Sequence, residues 1–167
     1  VGFVPQEDIM LRELTVEEII RHSAFLRLPA EMSRHEKLDR VYKVMESLDI
    51  LQIRNQVIGD ELVRGISGGQ RKRVNVAMEL VAGPSLLALD EPTSGLDSTT
   101  SHSLCSKLRG LANTGVNVVA VLHQPKAELL DLFSNILLLG PGGKTVYMGP
   151  THGMVPYFTK IGFPLPS

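Results

Sequence analysis

Cysteine is almost absent from this chain. Cys105 stands alone among 167 residues, so no disulfide framework can be built, and a reducing compartment suits the sequence. Tryptophan is missing and aromatics make up only 5%. No apolar run approaches the ~20 residues that cross a bilayer as a helix. An excess of basic charge is lacking too: Lys plus Arg is 17 against 18 for Asp plus Glu. That balance lacks the electrostatic footprint of a nucleic-acid binder, so no nucleic-acid partner is expected. His22, His35, His102 and His152 show no metal-ligand spacing. Neither an initiator Met nor a signal peptide opens the chain. It begins at Val1-Gly2-Phe3-Val4, as if within a strand, and closes on Phe163-Pro164-Leu165-Pro166-Ser167, as if within a connector. A piece of a longer protein is the expectation.

What is present is an ordinary globular composition, 43% hydrophobic and 21% charged, sufficient for one domain with a real core. The chain is organised around Leu86-Leu87-Ala88-Leu89-Asp90-Glu91-Pro92-Thr93-Ser94-Gly95-Leu96-Asp97. The apolar start shows no alternation, which suits a strand buried on both faces of a parallel sheet. Two adjacent carboxylates then fall where open α/β sheets bind ligands, at the carboxyl edge.

Upstream, Val1 to Val4 reads as a strand delivering Pro5-Gln6-Glu7-Asp8. Thr15 with Glu18, and Ser33 with Glu36, have the spacing of capping boxes, each ahead of a helical apolar pattern. Residues 9 to 65 read as a mainly helical insert. A third helix opens at Ile66-Ser67-Gly68-Gly69-Gln70 and ends near Gly83-Pro84, which extends the helical part to residues 9–82. Asp97 is placed to cap a helix through Leu104, Leu108 and Leu111, with Gly115 as its stop. Val116 to Leu122 forms a further apolar strand ending in His123-Gln124-Pro125. Beyond it lie a short helix near Leu129, strands at Ile136–Leu139 and Thr145–Met148, and an amphipathic segment from Met154 to Ile161. Strands alternating with helices imply an α/β parallel sheet, with its core in residues 1–8 and 83–149 and a C-terminal helix and connector in 150–167.

Three of the strands thus end in polar groups: Gln6, the pair Asp90-Glu91, and His123. In a parallel sheet those ends share one edge and could converge on one ligand. Mg-assisted phosphoryl transfer uses such a set, because it depends on positioning and charge stabilisation. A carboxylate and an amide oxygen suit Mg²⁺, a second carboxylate can polarise water, and a histidine can hydrogen-bond a phosphate. Small residues at a helix start, as at Ser67-Gly68-Gly69, offer backbone N–H groups to an anion.

In combination these segments resemble the ATP-binding cassette (ABC) ATPases. The resemblance runs through Val4-Pro5-Gln6 (Q-loop), Ile66-Ser67-Gly68-Gly69-Gln70 (signature motif), Leu86 to Glu91 (Walker B), Ser94-Gly95-Leu96-Asp97 (D-loop) and His123 (switch histidine). Finer features are similar to subfamily G, the white/pigment, sterol and drug exporter group. These are Gly65 through Arg73, Leu122-His123-Gln124-Pro125, and Gly143-Lys144-Thr145-Val146-Tyr147-Met148-Gly149 followed by Tyr157-Phe158 and Gly162-Phe163.

The resemblance implies a P-loop NTPase (RecA-like) parallel sheet core with a helical subdomain, N-terminally truncated. It implies ATP and Mg²⁺ as cofactors, with Asp90 and Gln6 on the metal, Glu91 as base and His123 at the γ-phosphate. Ser67, Gly68, Gly69 and Gln70 would meet the ATP of a second nucleotide-binding domain in a head-to-tail dimer, and Asp97 would report across that interface. It further implies a transmembrane domain in the same polypeptide and a place at the cytosolic face of a membrane, the stretch itself being soluble. A soluble cassette of translation or DNA maintenance is the alternative, and a catalytically silent cassette is a third reading.

One departure stands out. The loop G-x-x-x-x-G-K-[ST] is absent from the 167 residues. Gly143-Lys144-Thr145 supplies its last three positions, but Leu138 occupies the first and strand-like residues follow, so a hairpin turn is expected there. Without that loop the stretch alone is expected to bind Mg-ATP weakly and to turn it over negligibly. Arg71-Lys72-Arg73 reads as a solvated helix face, Cys105 as a small core residue, and Tyr157-Phe158 as packing aromatics.

Overall fold

The computed structural model describes residues 1–60 and 62–164. The chain divides into two compact units, Val1–His123 and Gln124–Ser167.

The first unit is built on a three-stranded sheet of β1 (Gly2–Val4), β2 (Leu86–Asp90) and β3 (Asn117–Val121), in that order. Both pairings are parallel. Val4 lies opposite Leu89, and Asp90 opposite Val121, so the three carboxyl ends share one edge as the sequence implies. The mixed α/β class and parallel sheet agree with a P-loop NTPase-type core.

Helices α1 (Val16–Arg27) and α2 (Arg34–Ser47) begin where their capping boxes predict. Glu18 N donates to Thr15 Oγ1 at 3.3 Å, and Thr15 N donates to the Glu18 carboxylate at 2.9 Å. Ser33 and Glu36 repeat this exchange at 3.3 and 2.8 Å. Each box satisfies amide donors that the first helical turn leaves open. Helix α3 (Gly68–Leu80) lies against α1, α2, α4 (Ser98–Asn113) and β1. Its central place explains why Gly69, Lys72, Val74, Asn75, Val76, Ala77 and Leu80 are all buried, since a helix enclosed on several sides has no broad polar face. Gly115, at φ +100°, stops the chain after α4 with a backbone conformation that favours glycine.

One buried cluster runs from Val4, Leu87 and Leu89 on the sheet through Val76, Leu80, Leu104 and Leu108 to Val16, Ile20, Met45 and Leu48 in the helical part. Two expectations need correction. β2 is fully buried only at Leu87 and Leu89; Leu86, Ala88 and Asp90 on the other face are half-buried. β3 lies at one edge of this sheet, and its Val119 and Val121 are exposed. An unbroken apolar run does not distinguish one covered face from two, because the alternation that would mark a wet face is missing in both cases.

Cys105, on α4, is 1% exposed, and burial pushes its thiol up to about 11. The thiolate is the reactive form, so Cys105 is expected to resist alkylation at neutral pH in the folded protein and to label rapidly in denaturant. Stoichiometric labelling of the native protein within minutes would contradict this placement.

In the second unit, α5 (Ala127–Leu130) is followed by the antiparallel pair β4 (Asn135–Leu139) and β5 (Thr145–Pro150). A short 3-10 turn at Pro141–Gly143 joins them, with Gly142 at φ +71° and Gly143 at φ +72°. Gly143-Lys144-Thr145 is therefore a hairpin turn running into a strand. No helix follows it to receive a phosphate. Helix α6 (Thr151–Lys160) brings Tyr157 and Phe158 against Tyr147, with ring centroids 5.2 and 6.4 Å away. These aromatics pack, as expected. Leu165 to Ser167, part of the expected connector, lie outside the described residues. Among the described residues no helix is long and apolar enough to cross a membrane.

Candidate nucleotide-hydrolysis site

The shared carboxyl edge of the sheet assembles the site. Beyond β1 the chain carries Gln6 forward; beyond β2, Asp90 is followed by Glu91. Parallel register brings the two together: Gln6 Nε2 donates to Glu91 Oε2 at 3.0 Å across 85 residues of sequence. Glu91 adopts φ +43°, the left-handed region that non-glycine residues seldom occupy. Its amide donates to Val121 O at 3.0 Å and its carbonyl accepts from Ser94 N at 3.0 Å, and these bonds hold the unusual turn. The turn places Glu91, half-buried, immediately past the end of β2. Strain of this kind persists where surrounding structure fixes it, commonly at functional sites. His123 stands two residues past the end of β3, exposed, at the same edge.

The Gln6–Glu91 bond orients the amide. With its nitrogen turned to Glu91, the oxygen is the atom left to act as a metal ligand. Among the described residues no group of three His, Cys, Asp or Glu side chains could hold a metal ion. Mg²⁺ takes one or two protein oxygens and completes its octahedron with water and substrate phosphates. The Asp90 carboxylate and the Gln6 amide oxygen are hard oxygen donors of the kind such an ion takes.

The signature residues sit at the start of α3. Ser67 Oγ accepts from Gln70 N at 3.3 Å, while Gln70 Oε1 accepts from Ser67 N at 2.8 Å. This third capping box has Gln in place of Glu and was not singled out from the sequence, although Ser-x-x-Gln carries the required spacing. It commits the Gln70 side chain to fixing Ser67, whose hydroxyl proton is left to donate. Gly68 and Ser67 are exposed at this positive helix end; Gly69 is buried against α4. Asp97 caps α4 as expected. Its Oδ1 accepts from Thr100 N at 3.0 Å and its Oδ2 from Thr100 Oγ1 at 2.6 Å. The Thr100 hydroxyl, and then its amide, hold the Asp97 carboxyl below the usual aspartate value.

The solvated reading of Arg71-Lys72-Arg73 is overturned. Lys72 is 6% exposed, and its Nζ donates to Asp8 Oδ1 at 3.1 Å and to the main-chain oxygen of Gln6. Arg73 is half-buried, bonded to Leu48 O at 3.3 Å and Ser103 Oγ at 2.7 Å. Asn75 Nδ2 adds a bond to Asp8 Oδ1 at 3.2 Å. Periodicity held the signal: Lys72 falls three residues after Gly69 and four before Val76, on the buried stripe of α3. Charge composition alone concealed it.

Residues 1–94 match the family model described as "ABC transporter", and residues 123–167 match one described as "ABC-2 type transporter". The chain belongs to the ABC transporter family, within its subfamily G. ABC transporter G family member 28 of Arabidopsis thaliana is 49% identical over 100% of this chain and 15% of its own length. Putative white-brown complex homolog protein 30 of the same plant is 48% identical over 99% of the chain and 15% of its own length. The broad substrate specificity ATP-binding cassette transporter ABCG2 of Sus scrofa is 39% identical over 97% of the chain and 24% of its own length. The chain thus spans less than a quarter of the length of these curated relatives.

Proposed function

We propose that these residues form the water-activating and partner-facing part of an ATP-hydrolysing cassette that drives a subfamily G membrane transporter. The observation that carries this reading is the 3.0 Å bond between Gln6 and Glu91 at the carboxyl edge of a parallel sheet, with Glu91 in a left-handed turn. Glu91 accepts the proton of the attacking water, and Gln6 holds its carboxylate in line. Asp90, with the Gln6 oxygen, binds Mg²⁺, which supplies charge neutralisation on the phosphates when bound. His123 hydrogen-bonds the γ-phosphate and senses its loss. Ser67 and the amides of Gly68 and Gly69 face the nucleotide of a second cassette in a head-to-tail dimer, and Asp97 lies at that interface. The relatives' descriptions as transporters favour this reading over a soluble cassette. A membrane domain in the same polypeptide and a cytosolic-face location follow from it.

The 167 residues contain no G-x-x-x-x-G-K-[ST] loop, whose amides and lysine supply much of a cassette's hold on phosphate. Alone, they are expected to bind Mg-ATP weakly and to hydrolyse it negligibly. The test compares Mg-ATP binding and turnover by this stretch with those of a longer natural chain that includes such a loop. Turnover confined to the longer chain supports the reading. Equal turnover in both would place the nucleotide elsewhere and overturn the site.

A further inference from the structure

Lys72 reaches from the signature helix to the loop that carries Gln6, and the Mg-ATP chemistry above makes no use of it. Its burial needs a reason. An ammonium removed from water costs several kcal/mol unless it is paired, and even a paired one stabilises no more than a well-packed apolar side chain. What Lys72 provides beyond an apolar residue is the position of two oxygens, Asp8 Oδ1 at 3.1 Å and the main-chain oxygen of Gln6. Asn75, three residues further along the same helix, holds the same Asp8 oxygen at 3.2 Å. The Gln6 backbone is thereby fixed to α3, while its side chain reaches Glu91 Oε2 at 3.0 Å.

We propose that Lys72 is a positioning residue. It ties Gln6, and through it the Glu91 carboxylate, to the signature helix, so that Glu91 is oriented for water attack only while α3 is seated on the Gln6–Asp8 segment. Lys72 lies one helical turn after Gly68, so a tilt of the helix start carries Nζ with it. Displacement there withdraws the donor from the Gln6 carbonyl and lets the side chain leave Glu91. The inference rests on the reading of Gln6 and Glu91 as the water-orienting pair.

The test uses the full-length transporter and measures kcat and KM for ATP. Lys72→Met combined with Asp8→Asn removes both charges together, and the amide oxygen at position 8 keeps an acceptor for the buried Asn75 Nδ2, so the fold is retained while the tie is lost. The expected result is a fall in kcat of about tenfold or more with KM for ATP within about twofold, since misplacement of one ångström can cost ~100-fold. On a Gln6→Ala background the same double change is expected to lower kcat no further, because Lys72 acts through Gln6. An unchanged kcat in the double variant overturns the proposal, as does an equal loss on the Gln6→Ala background. The underlying reading is checked separately by Glu91→Gln. If that change leaves hydrolysis intact, both fall; if it abolishes hydrolysis while the Lys72 variant stays fully active, only the positioning role falls.

Discussion

Replacing Glu91 with Gln in the full-length protein is expected to lower ATP turnover by more than about 100-fold while nucleotide binding persists. The substitution keeps side-chain length and an acceptor oxygen, so the bond from Gln6 Nε2, 3.0 Å in the parent, can still form. It also leaves unchanged the left-handed turn at φ +43° and the main-chain bonds to Val121 and Ser94 that hold it. What disappears is basicity. A positioned general base typically contributes ~10²–10⁴-fold, and an amide cannot take a proton from water at neutral pH. Glu91→Asp offers a geometric control: basicity stays, but the carboxylate retracts by one methylene and the contact with Gln6 is lost. Turnover by the Asp variant should also fall, which would show that placement matters beside charge. Single-turnover hydrolysis and equilibrium ATP binding, measured on the same preparations, separate the two effects. Turnover by Glu91→Gln within tenfold of the parent would remove Glu91 from the role of base.

Much of this arrangement was legible in the sequence because short-range chemistry encodes it. Thr15 with Glu18, Ser33 with Glu36, and Asp97 before Leu104 each announce a helix start within four to seven residues, and each cap is formed. The polar ends of three apolar runs predicted a common edge, and the parallel register delivers it. What escaped was tertiary. The exposure of Val119 and Val121 depends on the place of β3 in the sheet order, which no local pattern records. The burial of Lys72 is tertiary too: its charge suggests solvent, its partner Asp8 lies 64 positions away, and only the docking of α3 on β1 makes their pairing possible. The Gln6–Glu91 bond was implied only as convergence on one edge. Its distance and direction come from the turn at Glu91, a backbone state that the sequence Asp-Glu-Pro-Thr does not announce.

The two signature glycines are expected to respond differently to substitution, and the difference separates packing from ligand contact. A Cβ on Gly68 would meet only Leu96 Cδ2, at an ordinary 3.8 Å, so Gly68→Ala should leave stability near that of the parent. A Cβ on Gly69 would overlap Thr100 Cγ2. Thr100 cannot swing aside cheaply, because its hydroxyl is held by Asp97 Oδ2 at 2.6 Å and its amide by Asp97 Oδ1 at 3.0 Å. Gly69→Ala therefore forces the start of α3 away from the start of α4 or breaks the Asp97 cap. Overpacking of this kind costs about 1–3 kcal/mol, of which the better helix propensity of Ala returns at most about 1 kcal/mol. Thr100→Ser removes the offending methyl and keeps the hydroxyl, so the double variant should recover most of the lost stability in urea melts. Failure of that rescue would refute the packing explanation. ATP turnover carries the functional half. If Gly68→Ala folds like the parent yet hydrolyses ATP slowly, while the rescued Gly69→Ala/Thr100→Ser protein keeps its turnover, the loss arises at the exposed helix end, where the methyl at position 68 obstructs approach of a phosphate to the α3 amides.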